Sequence, residues 1–312
     1  MTTLTLVTSV LNGRPHIDEM LASVLANPQI EHLVIDAGSS DGTLDILRAR
    51  SDLRLIERPG LPLYDAWNEA LAAAQGDYVL FLNADDLLVA GALDRLLPHL
   101  KAPLDILCAE AEAFDNDASH PPRYSYRGAG LTGLTWETLL FGAPLINAKI
   151  FRRTLLLDAG GFDTSLPVAA DRDLLLRLAA MSSHLRIDCS PTLMYRYRIH
   201  AGSKTLQQTA KARAGIAREH ARIAARLMTD STLVPHVSEM AAHWAAHEAA
   251  VLAVRSLQAG DVRTSLAAFR EVCRPRRLAH VAAAREIRRA YAGRLRDVAA
   301  QMRRPPAEEL RA

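Results

Sequence analysis

Through its first eighty residues the chain alternates short apolar runs with segments whose apolar residues recur every three or four positions. The run LTLVTSVL, Leu4 to Leu11, predicts a strand. PHIDEMLASVLA follows, with Ile17, Met20, Leu21, Val24 and Leu25 at helical spacing and Pro15 near its start. IEHLVID (30–36) predicts a second strand and GTLDILRAR (42–50) a second helix. LRLIE (53–57) is a third strand. LYDAWNEALAAAQG (63–76) is a third helix, with Gly76 expected as its C-cap. DYVLFL (77–82) is the fourth strand. Strands separated by helices of this length predict an α/β protein, Rossmann-like, with a mainly parallel central sheet and helices on both faces. Ligands bind such sheets beyond the carboxyl ends of the strands. Asn12, Asp36, Glu57, Asp85 and Asp86 all fall there.

The pattern loosens after residue 100. Strands are expected near 104–110, 145–151 and 185–198, and helices near 152–159 and 171–181. DNDASHPPRYSYRGAG reads as a mobile loop. From about residue 205 alanine and arginine dominate and the periodicity becomes helical; HEAAVLAVRSLQAGDVRTSLAAFREVC predicts a helical hairpin turning at Ala259 to Asp261. Two regions follow, 1–205 and a helical, Arg-rich 206–312.

With 312 residues, 49% of them hydrophobic, the chain can bury a large core. A net charge of +2 names no partner, but ten arginines lie between Arg274 and Arg304 against Glu286 and Asp297. That tail suits an anionic surface, an oligomer contact or plain solvation alike. Cys108, Cys189 and Cys273 show no metal-binding spacing. The N-terminus lacks a basic lead-in to an apolar run, and no uncharged apolar run approaches the ~18 residues of a membrane span. A cytoplasmic protein is expected, with the inner face of the plasma membrane as an open alternative.

Adjacent carboxylates at one strand end repel unless a cation or water separates them. Asp85 and Asp86 therefore raise two readings: acids at a helix start in ADDLLVAGAL, or part of a rim that holds a divalent cation. Asp36 follows another strand yet projects to the same rim, and Asp65 opens the helix leading into the fourth strand. That much negative charge on one edge favours Mg²⁺ or Mn²⁺ shared with substrate phosphates. Gly38 and Gly42 permit unusual backbone angles, and Asp41 suits an N-cap. No GxGxxG follows any of these first four strands, and no GxxxxGK[ST] sequence is present.

Five blocks carry a family resemblance: VTSVLNG, VIDAGSSDGTLDIL, ERPGLPLYDAWNEALAAAQGDYVLFLNADD, FRRTLLLDAGGFDTSLPVAADRDLLLRLA and YRYRIHAGSKT. In this order, over about residues 4 to 205, the chain resembles the family 2 glycosyltransferases of GT-A fold, in their bacterial surface-polysaccharide branch. The resemblance implies an inverting enzyme with a nucleotide-sugar donor, UDP-type favoured, and a saccharide or lipid-linked acceptor. It implies that Thr8 and Asn12 line the base pocket, that Asp36 holds the uracil or ribose, and that Asp65 helps to fix the nucleotide. Asp85 would face the donor sugar or ribose, Asp86 would coordinate Mn²⁺ or Mg²⁺, and His200 would reach the metal or diphosphate; a surface or packing role is the alternative for His200. Asp171 would be the general base and Asp173 a structural acid paired with Arg177. AGGFD (159–163) resembles the acceptor-side loop. Arg196 and Arg198 either offset diphosphate charge or form a solvated strand face. Two departures stand out: Asn83 and Ala170 replace acids common in the family.

Trp67 is expected in the core and Tyr64 near the site; Trp136 suits either the core or a sugar ring. The departures leave room for a second reading, a catalytically silent nucleotide-sugar-binding scaffold. A nucleic-acid partner is not expected, since the Arg-rich tail carries few aromatics. Peripheral membrane contact or homo-oligomerisation through the C-terminal helices is left open.

Overall fold

The structure is a computed structural model that describes residues 3–27, 30–101, 104–116, 122–200, 209–275 and 277–302. Strand β1 (Leu4–Val10) leads to helix α1 (Ile17–Leu25), β2 (Glu31–Asp36) to α2 (Thr43–Arg48), and β3 (Arg54–Glu57) to α3 (Leu63–Ala73). Then come β4 (Tyr78–Phe81), a two-residue β5 (Leu87–Leu88), α4 (Ala92–Leu96), β6 (Ile106–Asp115) and β7 (Tyr124–Tyr126). Short helices α5 (Ala129–Thr132) and α6 (Trp136–Phe141) precede β8 (Lys149–Arg152) and α7 (Arg153–Asp158). Helix α8 (Ala170–Ala180) and the long β9 (Ile187–Ile199) complete the sheet region. Among the described residues four helices follow: α9 (Ala210–Thr229), α10 (Pro235–Gln258), α11 (Val262–Val272) and α12 (Arg277–Met302).

One sheet runs in the order β3-β2-β1-β4-β8-β6-β9-β5, with β7 on β6. The expected parallel order holds for β3, β2, β1 and β4, where helical crossovers return each strand in the same direction. Beyond β4 the sheet is mixed. β8 runs antiparallel to β4 and to β6, and β5 antiparallel to β9, while β6 and β9 are parallel. The segment expected as a mobile loop (115–130) contains β7, hydrogen-bonded to β6; residues 117–121 lie outside the described residues.

Alternation along the strands explains the two cores. Val7, Leu33, Ile35, Val79 and Phe81 point to one face, under α3, α7 and α8. Leu4, Leu6, Val10, Val34 and Leu80 point to the other, under α1 and α4. The first core also takes in Ile223, Leu227, Met240, Trp244 and Ala284 from the C-terminal helices. The predicted hairpin is α10 and α11, and Asp261 caps α11 by accepting the Thr264 N–H at 3.0 Å. The boundary expected between 205 and 206 falls outside the described residues. Among the described residues no helix is long and apolar enough to cross a membrane.

Gly76 is not the cap of α3, which ends at Ala73. It is required by crowding: a Cβ there would lie 2.6 Å from the Thr5 backbone nitrogen, and its N–H donates to Thr5 Oγ1 at 2.9 Å. The tail helix α12 packs back onto the sheet region. Tyr291 is buried over Gly142, its hydroxyl accepting the Ala143 N–H at 3.4 Å, and Arg294 pairs with Glu137 at 2.6 Å.

Because Trp244 is fully buried in the shared core, Trp244→Ala should cost about 3–5 kcal/mol in a denaturant titration and keep a single transition. An early transition confined to the helices would show that the core is not shared.

Candidate active site

The loops beyond β1 and β2 are fastened to each other. Asn12 turns the chain at φ 56°, a left-handed conformation that asparagine tolerates. Its N–H donates to Ser39 Oγ and its Oδ1 accepts the Ser40 N–H, both at 2.9 Å. The Arg14 N–H donates to Asp41 Oδ2 at 2.9 Å, while Asp41 Oδ1 accepts from the Thr43 N–H (3.0 Å) and hydroxyl (2.6 Å). Asp41 thus sits one residue ahead of the N-cap, Gly42. Gly38, at φ 98°, lies against Pro59, so the loop after β3 joins the same edge.

Asp36 closes β2 within this frame and is almost wholly buried. Its Oδ1 accepts the Gly38 and Ser39 N–H groups at 2.8 Å each. Its Oδ2 is buried with no hydrogen-bond partner. A buried oxygen left unsatisfied is costly, and a donor on a ligand would relieve it. Thr8 does not reach the edge: it is fully buried two residues short of the strand end, its hydroxyl 3.1 Å from His32 Nε2. Asn12 is exposed at the rim, and Asp65 is half-buried in the first turn of α3.

Asp85 and Asp86 do not open a helix; they precede β5, which pairs with β9. Asp86, expected to hold the metal, fastens β9 to the end of β4. It has no exposed surface, and both of its oxygens already have protein donors. Oδ1 accepts the Arg198 N–H at 2.7 Å; Oδ2 accepts the Asn83 side-chain amide at 2.9 Å and the Tyr195 hydroxyl. Burial, and then the neighbouring Asp85, push its carboxyl up to about 8.

Asp85 is the partly exposed member of the pair, with His200 Nε2 2.8 Å from its Oδ2. The His16 ring lies 5.0 Å from that of His200. Arg198, expected to face the diphosphate or solvent, is buried and structural. It donates to the Asp85 carbonyl (2.7 Å), to the Asn116 carbonyl (2.5 Å) and to Glu19 Oε2 (2.6 Å). Arg196 donates to Glu112 at 2.7 Å and lies over the Phe114 ring. Among the described residues no three His, Cys, Asp or Glu side chains converge as a metal cage.

Asp171 stands in the first turn of α8, beside the start of α3. The Tyr64 hydroxyl donates to the Val168 carbonyl at 2.9 Å and lies 3.3 Å from Asp171 Oδ1. Burial raises the Asp171 carboxyl above the usual range, with the Arg172 N–H and charge pulling the other way. Asp173 is the expected structural acid, fully buried and paired with Arg177 (2.9 Å) and with Arg226 of α9. The 159–163 loop folds onto α3, where Asn68 exchanges hydrogen bonds with the Phe162 backbone at 2.8 and 2.9 Å. Trp67 is core, as expected, and Trp136 packs partly buried at the core edge.

Sequence reasoning missed Glu219 and Tyr195. Glu219, on α9, accepts the Val168 and Ala169 N–H groups (3.0 and 2.8 Å) at the start of α8. Ala170 is fully buried, so the carboxylate serving this helix start comes from a helix some fifty residues on. Nothing local in the sequence marks Glu219. Tyr195 stands in the alternation of YRYR, which placed it on a strand without revealing its partner.

A mixed sheet with an acidic edge at the ends of its first four strands defines a GT-A-like fold. Residues 5–156 match the family model of glycosyl transferase family 2. The chain is 30% identical over 193 residues to the uncharacterised protein MT1568 of Mycobacterium tuberculosis, covering 55% of this chain and 60% of that one. It is 26% identical over 184 residues to WfaP of Escherichia coli, named UDP-Glc:alpha-D-GlcNAc-diphosphoundecaprenol beta-1,3-glucosyltransferase, covering 56% and 67% of the two chains. The crystal structure of S. aureus TarS 1-349 in complex with UDP-GlcNAc superposes with a TM-score of 0.61 at 17% identity, over 87% of this chain and 90% of that one. Residues 5–156 are a family 2 glycosyltransferase domain.

Removing the cap from α8 by Glu219→Ala should lower stability by about 1–3 kcal/mol in urea unfolding. Glu219→Gln keeps an acceptor oxygen and should recover most of the loss. Equal losses in the two variants would contradict the capping role.

Proposed function

We propose that the protein is an inverting glycosyltransferase. It moves a sugar from a UDP-type nucleotide-sugar to a hydroxyl of a saccharide or lipid-linked acceptor in cell-surface polysaccharide synthesis. The observation that carries this reading is one edge of the sheet holding an unsatisfied buried carboxylate oxygen on Asp36 together with the Asp85–His200 pair. The first asks for an N–H or O–H donor, which a uracil or a ribose provides. The second offers one oxygen and one nitrogen ligand, too few for a cage but suited to a cation that also binds phosphate oxygens and water. WfaP and the TarS complex, whose names cite UDP-sugars, support the choice of donor.

In this reading Asp36 binds the base or ribose, and Asn12 and Asp65 border the nucleotide. Asp85 and His200 would hold Mn²⁺ or Mg²⁺. The ion supplies stabilisation of the charge on the departing diphosphate. Asp86 keeps β9 in place and so keeps His200 beside Asp85. Asp171 accepts the proton of the acceptor hydroxyl, and its buried setting raises its basicity toward that task. Tyr64 orients it. Direct attack by the acceptor hydroxyl, with Asp171 taking its proton, is one displacement and inverts the sugar carbon.

Asp171→Asn should leave UDP binding nearly unchanged while transfer falls by about 10²–10⁴-fold. Wild-type turnover in that variant would remove Asp171 from the role. A raised pKa means that Asp171 gains its proton at a higher pH than an ordinary carboxylate, so kcat should fall on the acid side before general acid unfolding begins. Asp85→Ala should abolish the Mn²⁺-dependent part of UDP binding in calorimetric titration; an unchanged titration would contradict the ligand assignment.

A further inference from the structure

Helix α11 carries an exposed apolar stripe that neither core uses. Val262, Leu266 and Phe269 follow one another at helical spacing and are 54%, 54% and 57% exposed. The adjoining side of the helix, Ser265, Ala268 and Val272, is buried. Val254 and Leu257, in the last turns of α10, and Leu278, at the start of α12, add large exposed apolar side chains on adjoining elements. Scattered apolar residues on a surface are ordinary, whereas a stripe on one face of a helix is an unfilled contact.

Arginines edge this stripe. Arg263 and Arg270 each stand one residue beyond an apolar member, and Arg255, Arg274 and Arg277 lie on the flanking turns. The acids of the stretch are engaged: Asp261 accepts the Thr264 N–H and lies 4.0 Å from Arg218, and Glu271 pairs with Arg274 at 2.7 Å. An apolar stripe bordered by arginines matches the interface of an anionic bilayer, where Leu and Phe enter the acyl boundary and guanidinium groups bind phosphates. A second copy of the chain fits less well, because a self-paired face would set these arginines against their own counterparts.

We propose that the α10–α11 hairpin docks the protein on an anionic phospholipid surface, with α11 lying in the interface plane. The inference stands apart from the catalytic reading, since none of these residues belongs to the site.

Flotation of the full-length protein on vesicles tests it. The protein should float with vesicles of phosphatidylglycerol and phosphatidylcholine, stay behind with phosphatidylcholine alone, and release as salt is added. Leu266→Glu with Phe269→Glu should abolish flotation. Arg263→Gln with Arg270→Gln should weaken it roughly fivefold per arginine. Since all four positions are exposed, circular dichroism melts should match wild type; should the Glu pair unfold, the Gln pair decides alone. Wild-type protein that ignores anionic vesicles, or flotation untouched by the Gln pair, would overturn the proposal. So would a wild-type dimer in light scattering that the Glu pair converts to monomer, which would assign the face to a second copy.

Discussion

A carboxylate with no access to water draws its hydrogen bonds from the protein, and at this edge of the sheet Asp86 does so with both oxygens. Its donors come from Asn83 beside it and from Tyr195 and Arg198 on β9, more than a hundred residues along the chain. Meeting that demand fixes the end of β9 against the end of β4. Through this attachment Arg198 reaches the Asp85 carbonyl and His200 reaches the Asp85 side chain. The edge of the sheet is therefore assembled from both halves of the sheet region, and its partly exposed Asp85–His200 pair is held in place by a buried neighbouring acid.

A similar division of labour holds at Asp171. The residue that meets the acceptor in the proposed reaction is held by groups that do not react: Tyr64 at the start of α3, and Glu219, which caps the same helix from α9. Asp173, two residues on, ties that helix to α9 again through Arg226. The C-terminal helices thus contribute to the placement of Asp171 as well as to the core under the sheet. This gives them a role within the domain that precedes them.

Much of the fold was legible because alternation and helical spacing are local signals. The first four strands, their helices, and the αL glycines at 38 and 42 follow from short windows. Gly76 was misread because a glycine that ends a helix and a glycine that lets two backbones approach look alike in sequence. The mixed half of the sheet was hidden because strand direction beyond β4 depends on pairings across long intervals. The site was legible as a set of acids but not in their roles. Asp85 and Asp86 are identical in type and adjacent, and the donors that single out Asp86 include Tyr195 and Arg198, more than a hundred residues away. Glu219 left no trace at all, because its meaning depends on a helix packing fifty residues away. The burial of Thr8 beside His32 was hidden too, because being near a strand end is not the same as reaching it.

The proposed function puts the cation at Asp85 with His200, and not at Asp86, on an edge that would also receive the nucleotide at Asp36. Diffraction from crystals grown with UDP and Mn²⁺, collected at the manganese absorption edge, tests it most directly. The account predicts an anomalous peak in contact with Asp85 and His200, bridging to the diphosphate, with the uridine donating to Asp36 Oδ2. A peak coordinated by Asp86, or a nucleotide seated away from the ends of β1 to β4, would contradict it.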